Sequence, residues 1–327
     1  MTQHRFHRRH ALKALGAFAA MQALPSLAAE WPERAITFVQ PYGPGTATDA
    51  SSRYIAQRLT ERWKVPTVMD HKAGANGIVG TETVSRAAPD GYTFLITSTG
   101  YFTNEAMVAK LPYDPLHSFE PVAKVGGVQL LLCVPSTSRL RSVRELVDFA
   151  KANPGKMTYA SGGNGSSQHI SGAQLAALTG TNIVHVPYKT QVPAAVATST
   201  GEVDFSFIAI ATAKPLLAAD KIRILAVSGT RRSSSFPDMP TVAESGVPGF
   251  AWVANTFFLA PAKTPPAIVR KLSDALGEIA RSDGYREFTK GIGMDPDFMG
   301  QAEWSRSIAA ERERYLQVVR ATGAKAE

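Results

Sequence analysis

Four stretches of the chain set hydroxyls, bare backbone and one ammonium at points where an apolar run gives way to a helical pattern. The first is PYGPGTATDA, residues 41–50, which follows the apolar run AITFVQ and opens into a helix pattern over residues 47–63. A strand, a tight turn and a helix start suit an anion, because the first backbone N–H groups of the helix lack intrahelical partners and sit at the positive end of its dipole. A nucleotide pyrophosphate and a small carboxylate both fit. Thr46 with Asp49 three residues on resembles a capping box and puts the helix start near Ala47.

The second stretch, YASGGNGSSQHISG at residues 159–172, repeats this logic. Gly162, Gly163 and Gly165 leave the backbone unshielded, Asn164 offers an amide, and Ser166 or Ser167 can cap a helix while presenting a hydroxyl. In the third, ITSTGYFTN, Ser98 and Thr99 end a strand and Tyr101 and Phe102 follow. Hydroxyls for an oxyanion beside aromatics for an apolar body are one reading, and an ordinary turn followed by core aromatics is the other. In the fourth, VPYKTQVP, Tyr188 and Lys189 follow a strand; Lys189 either neutralises a carboxylate or is simply solvated.

Other chemistries find little support. Cys133, the only cysteine, sits in the apolar run LLLCVP and reads as a buried thiol, and the histidines spell no metal-ligand spacing. No G-x-S-x-G is present, and Ser166 with His169 shares one helical turn without a third partner. YGPGTATD gives G-x-G-x-x-T after a strand, with Asp70 ending the next strand where a ribose-binding acid would stand. That keeps an exported NAD-dependent oxidoreductase as the alternative, although Thr48 takes the third glycine position and Pro44 removes an N–H. The expectation is a binding protein with no cofactor, no metal and no catalytic group.

The N-terminus carries Arg5, Arg8, Arg9 and Lys13, then an apolar run from Ala14 to Leu24, then the small residues Ser26 and Ala28. Residues 1–28 therefore read as a secretory signal peptide, and HRRHALK resembles a twin-arginine export signal with Ala11 where an apolar bulky residue is usual. The expected location is the periplasm. Without that segment the formal charge falls from +8 to +4, since 31 basic residues remain against 27 acidic ones. No basic stripe with interleaved aromatics appears, which argues against nucleic acid as a partner.

Along the remaining chain, short β-rich runs alternate with helical stretches, a pattern that predicts an α/β fold with mostly parallel sheets covered by helices. Residues 120–135 and 250–262 read as long connectors between two lobes, with a ligand cleft between them. The expected division is 29–124 with 253–327 as lobe 1 and 125–252 as lobe 2. Residues 264–293 and 301–323 read as two amphipathic helices, the first opened by Thr264 and Pro265.

Several segments taken in order carry a family resemblance: WPERAITFVQPYGPGTATD, AAPDGYTFLITSTG, LPYDPLHSFEPVAKV, NPGKMTYASGGNGSSQHISG, IVHVPYK, FPDMPTVAESGVPGF and LAPAKTPPAIVRKL. Together they resemble the extracytoplasmic solute receptors of tripartite tricarboxylate transporters, the Bug-type family, over essentially the whole mature chain. The resemblance implies a two-lobed, type II-like periplasmic-binding-protein fold that closes as a monomer on a small organic anion. It also implies delivery to integral membrane permease subunits. Carried over residue by residue, the family's ligand loops fall on Tyr42, Thr46, Ala47 and Asp49, and on Ser161, Gly163, Asn164 and Ser166. Ser98 and Tyr188 join them from the third and fourth stretches. Two departures stand out. The family usually has a Gly-Gly pair in its first loop, where this chain has Gly45 and Thr46, and it commonly has Asp-Asn where this chain has Ile208 and Ala209 in VDFSFIAI. Ile208 beside Phe207 therefore suggests an apolar or aromatic ligand body, such as an aromatic dicarboxylate.

Overall fold

The computed structural model describes residues 31–323; the signal segment read over residues 1–28 lies outside them. The first part of the chain runs β1 (Ile36–Gln40), α1 (Ala47–Trp63), β2 (Thr67–His71), a 3-10 turn (Ala75–Gly77), α2 (Ile78–Ser85), β3 (Thr93–Ser98) and α3 (Gly100–Met107). A long strand, β4 (Phe119–Pro135), leads into α4 (Val143–Ala152), β5 (Thr158–Ser161), α5 (Ser167–Thr179), β6 (Val184–Pro187), α6 (Gln191–Thr200), β7 (Phe205–Ala209), α7 (Ile210–Ala218) and β8 (Ile222–Val227). The chain returns through β9 (Val253–Pro261) and ends with α8 (Pro266–Arg281), α9 (Asp283–Ile292), β10 (Met294–Asp295) and α10 (Gln301–Thr322).

The strands form one curled sheet in the order β2-β1-β3-β9-β4-β7-β5-β6, with β8 and β10 also bonded to β4. The expected parallel pairing holds at the two ends: β1 runs parallel to β2 and β3, and β5 runs parallel to β6 and β7. The centre is antiparallel, so the sheet is mixed. β9 opposes β3 and β4, and β4 opposes β7 and β8. The reason lies in β4, which the sequence suggested as a connector. Its residues Phe119–Gln129 pair with β9, while Leu130–Pro135 pair with β7 and β8, so one strand belongs to both halves of the sheet.

The apolar run of β4 is buried on both faces, as its lack of alternation requires. Leu130, Leu132 and Val134 join the aromatic core with Phe205, Phe207, Phe250, Trp252 and Tyr315, while Leu131 and Cys133 join Ile208, Ile210 and Val227 on the other side. A further core under β1, β3 and β9 packs Phe38 against Phe94 and Phe258 and receives Ile268, Leu272 and Leu276 from α8.

Two local expectations need correction. Residues 264–293 form two helices, because Ser282 leaves the helical region (ψ 145) and its hydroxyl accepts from the Tyr285 N–H at 3.3 Å, capping a new helix. The preceding start is also shifted: Thr264 donates to the Pro261 carbonyl, and Pro265 stands at the N-cap. Among the described residues no helix is long and apolar enough to cross a membrane.

Candidate ligand site

The loops that read as anion sites meet at one cavity of 340 Å³, lined by β4, β9 and the beginnings of several helices. Ala47 and Thr48 start α1, Gly100 starts α3, Ser167 and Gln168 start α5, Gln191 starts α6, and Ala209 immediately precedes α7. Five helix N-termini thus face one space. Their first N–H groups have no intrahelical acceptor, and their dipoles superpose a positive potential there. No Lys, Arg, His, Asp or Glu is among the lining residues. Between the helix starts lies an apolar strip made by Val128 and Leu130 of β4 with Ala209 and Ala254.

Local sequence makes these helix starts. Thr46 is extended (φ -81, ψ 161) and its hydroxyl accepts from the Asp49 N–H at 3.1 Å; Ser166 does the same for His169 at 3.2 Å. The caps satisfy the third N–H of each helix and leave the first two directed outward. Tyr42, Thr46, Ala47, Ser98 and Ser166 line the cavity. Burial holds the Tyr42 phenol above its ordinary value, against the Thr97 hydroxyl and the Ser98 backbone, so it stays a neutral group.

The remaining proposed contacts stand elsewhere. Asp49 is behind the wall with its side chain 6% exposed, taking bonds from the Gly45 N–H (3.0 Å), from Arg53 Nε (3.0 and 3.1 Å) and facing His71 Nε2 (2.8 Å). Burial alone would raise its carboxyl, but Gly45, His71 and Arg53 prevail and hold it below the usual value. Its role is to fix the loop that carries Tyr42 and Thr46. Ser161 is likewise buried: its hydroxyl accepts from the Gly163 N–H at 3.1 Å and lies 2.6 Å from His185 Nε2. His185 stacks on His169 with 4.1 Å between ring centres, and His169 Nδ1 accepts from the Gly165 N–H at 3.1 Å. This group supports the glycine-rich turn from below.

Gly163 and Asn164 belong to that turn without lining the cavity, and the Asn164 side is exposed. Tyr188 donates to Glu202 at 2.5 Å, and nearby Gln191 faces the cavity in its stead. Phe207 and Ile208 are fully buried: Phe207 stacks on Phe250 at 5.5 Å, and Ile208 lies opposite Leu131 within the neighbouring core. Neither lines the cavity: Ile208 points to the face of β7 opposite Ala209, and Phe207, on the same face as Ala209, is packed against Phe250, which leaves Ala209 at the wall. That removes the basis for reading an aromatic ligand from Ile208.

Sequence reasoning missed Asn76, Gln168, Gln191 and the apolar strip. The signal for Asn76 was KAGANG, a glycine-rich turn between strand and helix like the others. Asn76 adopts φ 49, held by reciprocal bonds with Asn104 of 2.8 and 3.0 Å. Gly165 (φ 77) packs so closely beneath this turn that a Cβ there would lie 2.8 Å from Met107 Cε and 3.3 Å from Asn76 Nδ2. The dinucleotide alternative loses its parts: Gly43 and Gly45 do not line the cavity, and Asp70 pairs with Lys72 at 3.4 Å.

Helix starts gathered around a neutral cavity, in an α/β sheet whose two halves share one long strand, are the parts of a solute-binding protein. Comparison with known proteins agrees with that class and narrows it. Residues 51–324 match the family described as tripartite tricarboxylate transporter family receptor, and the chain belongs to that family. The protein BugT of Bordetella pertussis is 33% identical over 307 residues, covering 93% of this chain and 94% of BugT. An R. palustris protein solved with adipate superposes with a TM-score of 0.81 at 32% identity, covering 90% of this chain and 99% of that one. MatC from Rhodopseudomonas palustris, solved with bound malate, gives 0.75 at 27% identity over 88% of this chain and 100% of MatC. The protein is a periplasmic-type solute-binding receptor of the Bug group, not an enzyme.

Proposed function

We propose that the protein captures a small dicarboxylate with an apolar body in the periplasm, as a monomer, and hands it to membrane permease subunits of a tripartite tricarboxylate-type transporter. The observation that carries this reading is the convergence of five helix N-termini on a cavity with no charged side chain. Such a wall offers hydrogen-bond donors and positive potential to carboxylates without a fixed cation, and its centre of Val128, Leu130, Ala209 and Ala254 suits methylenes or a ring. A citrate-like tricarboxylate would put a charged group against that strip, with a desolvation cost and no partner. The adipate and malate in the two solved relatives support a diacid in general terms.

The lobes would be residues 29–124 with 253–327, and residues 125–252, closing about the stretch of β4 where its partners change after Gln129. A ligand held from both sides favours the closed population by its difference in affinity for the two states. Export by the signal read over residues 1–28 would bring the receptor to its substrate.

A thermal-shift screen of residues 29–327 against aliphatic and aromatic dicarboxylates, tricarboxylates, amino acids and NAD tests the reading. A ligand at a hundredfold excess over its Kd stabilises by about 2.7 kcal/mol. Dicarboxylates are expected to raise the melting temperature and NAD to leave it unchanged. A shift with NAD alone would overturn the proposal.

A further inference from the structure

Val128 and Leu130 line the ligand cavity, so strand alternation turns Gln129 and Leu131 to the other face of β4. On that face, residues 283–295 touch both halves of the molecule. α9 lies on α1: the Ser51 and Tyr285 hydroxyls are 2.7 Å apart, and Phe288 stacks on Tyr54 with 4.8 Å between ring centres. Its far end meets α7 and the chain that follows β8. Lys214 Nζ donates to the Gly291 carbonyl at 2.6 Å, and the Ser235 hydroxyl donates to the Lys290 carbonyl at 3.2 Å. Gly293 sits so close to α7 that a Cβ there would lie 2.4 Å from Ile210 Cβ. The segment therefore braces α1 against α7, two helices whose starts stand at the ligand cavity.

The brace is fastened at Asp295, which is 9% exposed. Its Oδ2 accepts from Gln129 Nε2 at 2.8 Å, and its Oδ1 accepts from the Ser234 N–H at 3.0 Å and from the Ser234 hydroxyl. Gln129 Oε1 in turn accepts the Gly229 N–H at 3.1 Å. These bonds cross the point where β4 changes partners. Gln129 is the last residue of β4 paired with β9, whereas Gly229 and Ser234 follow β8, which pairs with residues 131–135 of β4. Bonds to a carboxylate are roughly twice as strong as bonds between neutral groups.

Resting on the two-lobe reading above, we infer that Asp295 is a positioning residue for ligand binding: with Gln129 and Ser234 it clasps the lobes in the arrangement that gathers the helix starts. In that same arrangement the lobes meet beside the cavity, where a Cβ on Gly165 would lie 2.8 Å from Met107 Cε. The clasp and the gathered cavity are thus made together, and a chain without the clasp spends less of its time in the binding-competent arrangement. None of Gln129, Gly229, Ser234 and Asp295 lines the ligand cavity. Losing the clasp therefore lowers apparent affinity by the competent fraction alone, equally for every ligand. α10 contributes Trp304 and Tyr315 to the core shared by both halves, so the lobes loosen without coming free.

The test compares the wild type with Asp295→Asn and Ser234→Ala. Asparagine keeps one acceptor and sets its NH2 group against the donors on the other side, while Ser234→Ala removes the hydroxyl bond alone. Spin labels on Thr83→Cys in α2 and Ser199→Cys in α6, both exposed and one in each lobe, report the lobe separation; Cys133 is fully buried and stays unlabelled. Distances are measured by pulsed electron paramagnetic resonance with and without adipate or malate, and affinities by calorimetry. Asp295→Asn is expected to lengthen and broaden the ligand-free distance and to weaken both acids by one common factor, roughly fivefold or more. Ser234→Ala should do the same to a smaller extent, and it supplies the answer if Asp295→Asn does not fold. The ligand-free distances decide the point by themselves if neither acid binds. A purely structural role would lower the melting temperature and leave distance and affinity unchanged, which would overturn the clasp and leave the two lobes standing. A loss confined to one acid would also overturn it. A wild type whose distance is the same with and without bound acid would overturn the two-lobe reading and the inference with it.

Discussion

Asp49 stands behind the cavity wall, its carboxylate bonded to the Gly45 N–H and Arg53 and facing His71. Asp49→Asn should lower stability by about 1.5–3 kcal/mol at pH 7 in a denaturant titration, the usual worth of bonds to a charged group. Its contribution follows the lowered pKa: present above the unfolded value near pH 4 and lost as pH falls through the folded one, so variant and wild type should converge in acid. Ile208 and Ala209 make a second pair. Ile208→Val, within a core where it is fully buried, should cost about 0.5–1.5 kcal/mol and leave ligand affinity unchanged. Ala209→Leu should weaken binding by crowding the cavity with little effect on folding. Equal affinity loss in both variants, measured by calorimetry, would contradict the assignment of the wall. These neighbours were not separable in sequence: VDFSFIAI gives no sign of where strand yields to helix, since Ala209, at the N-cap of α7, has no side-chain oxygen to mark it.

At the scale of elements, the helix starts at residues 47 and 167 were legible because glycine, proline and a capping hydroxyl punctuate them. The Asn76 turn was harder to see. A non-glycine residue at positive φ is stabilised here by Asn104, 28 positions along the chain, and local pattern does not carry that contact. The glycine-rich turn rests on a titratable pair. Burial lowers the pKa of His169, and burial together with the nearby His169 lowers that of His185 to about 4. Both rings are neutral at pH 7. Because the unfolded chain takes up these protons near pH 6.5, stability is greatest above that value and declines as pH falls toward about 4. Melting temperatures between pH 7.5 and 4.5 should show this fall, and His185→Gln should flatten it. An undiminished slope in that variant would show that His185 is not the group responsible.

For the molecule as a whole, β4 and β9 present opposite faces to two different cavities. Val128, Leu130 and Ala254 face the ligand site, while Gly127, Gln129, Val253 and Asn255 border a second cavity of 310 Å³ with Lys124, Arg231, Asp295 and Arg314. The second cavity is charged where the first is neutral, so an acid has two physically distinct places to go. The α/β alternation was visible in sequence, but the central place of β4 and β9 and their antiparallel pairing were not, because strand patterns carry no direction. The neutrality of the ligand wall was also hidden, since it depends on which side chains of each loop turn inward. A crystal structure of residues 29–327 with adipate decides between the two cavities. Carboxylate oxygens are expected about 2.7–3.2 Å from the first N–H groups of α1 and α5, with the methylenes over Val128 and Leu130. Adipate bound instead between Lys124, Arg231 and Arg314 would contradict this placement.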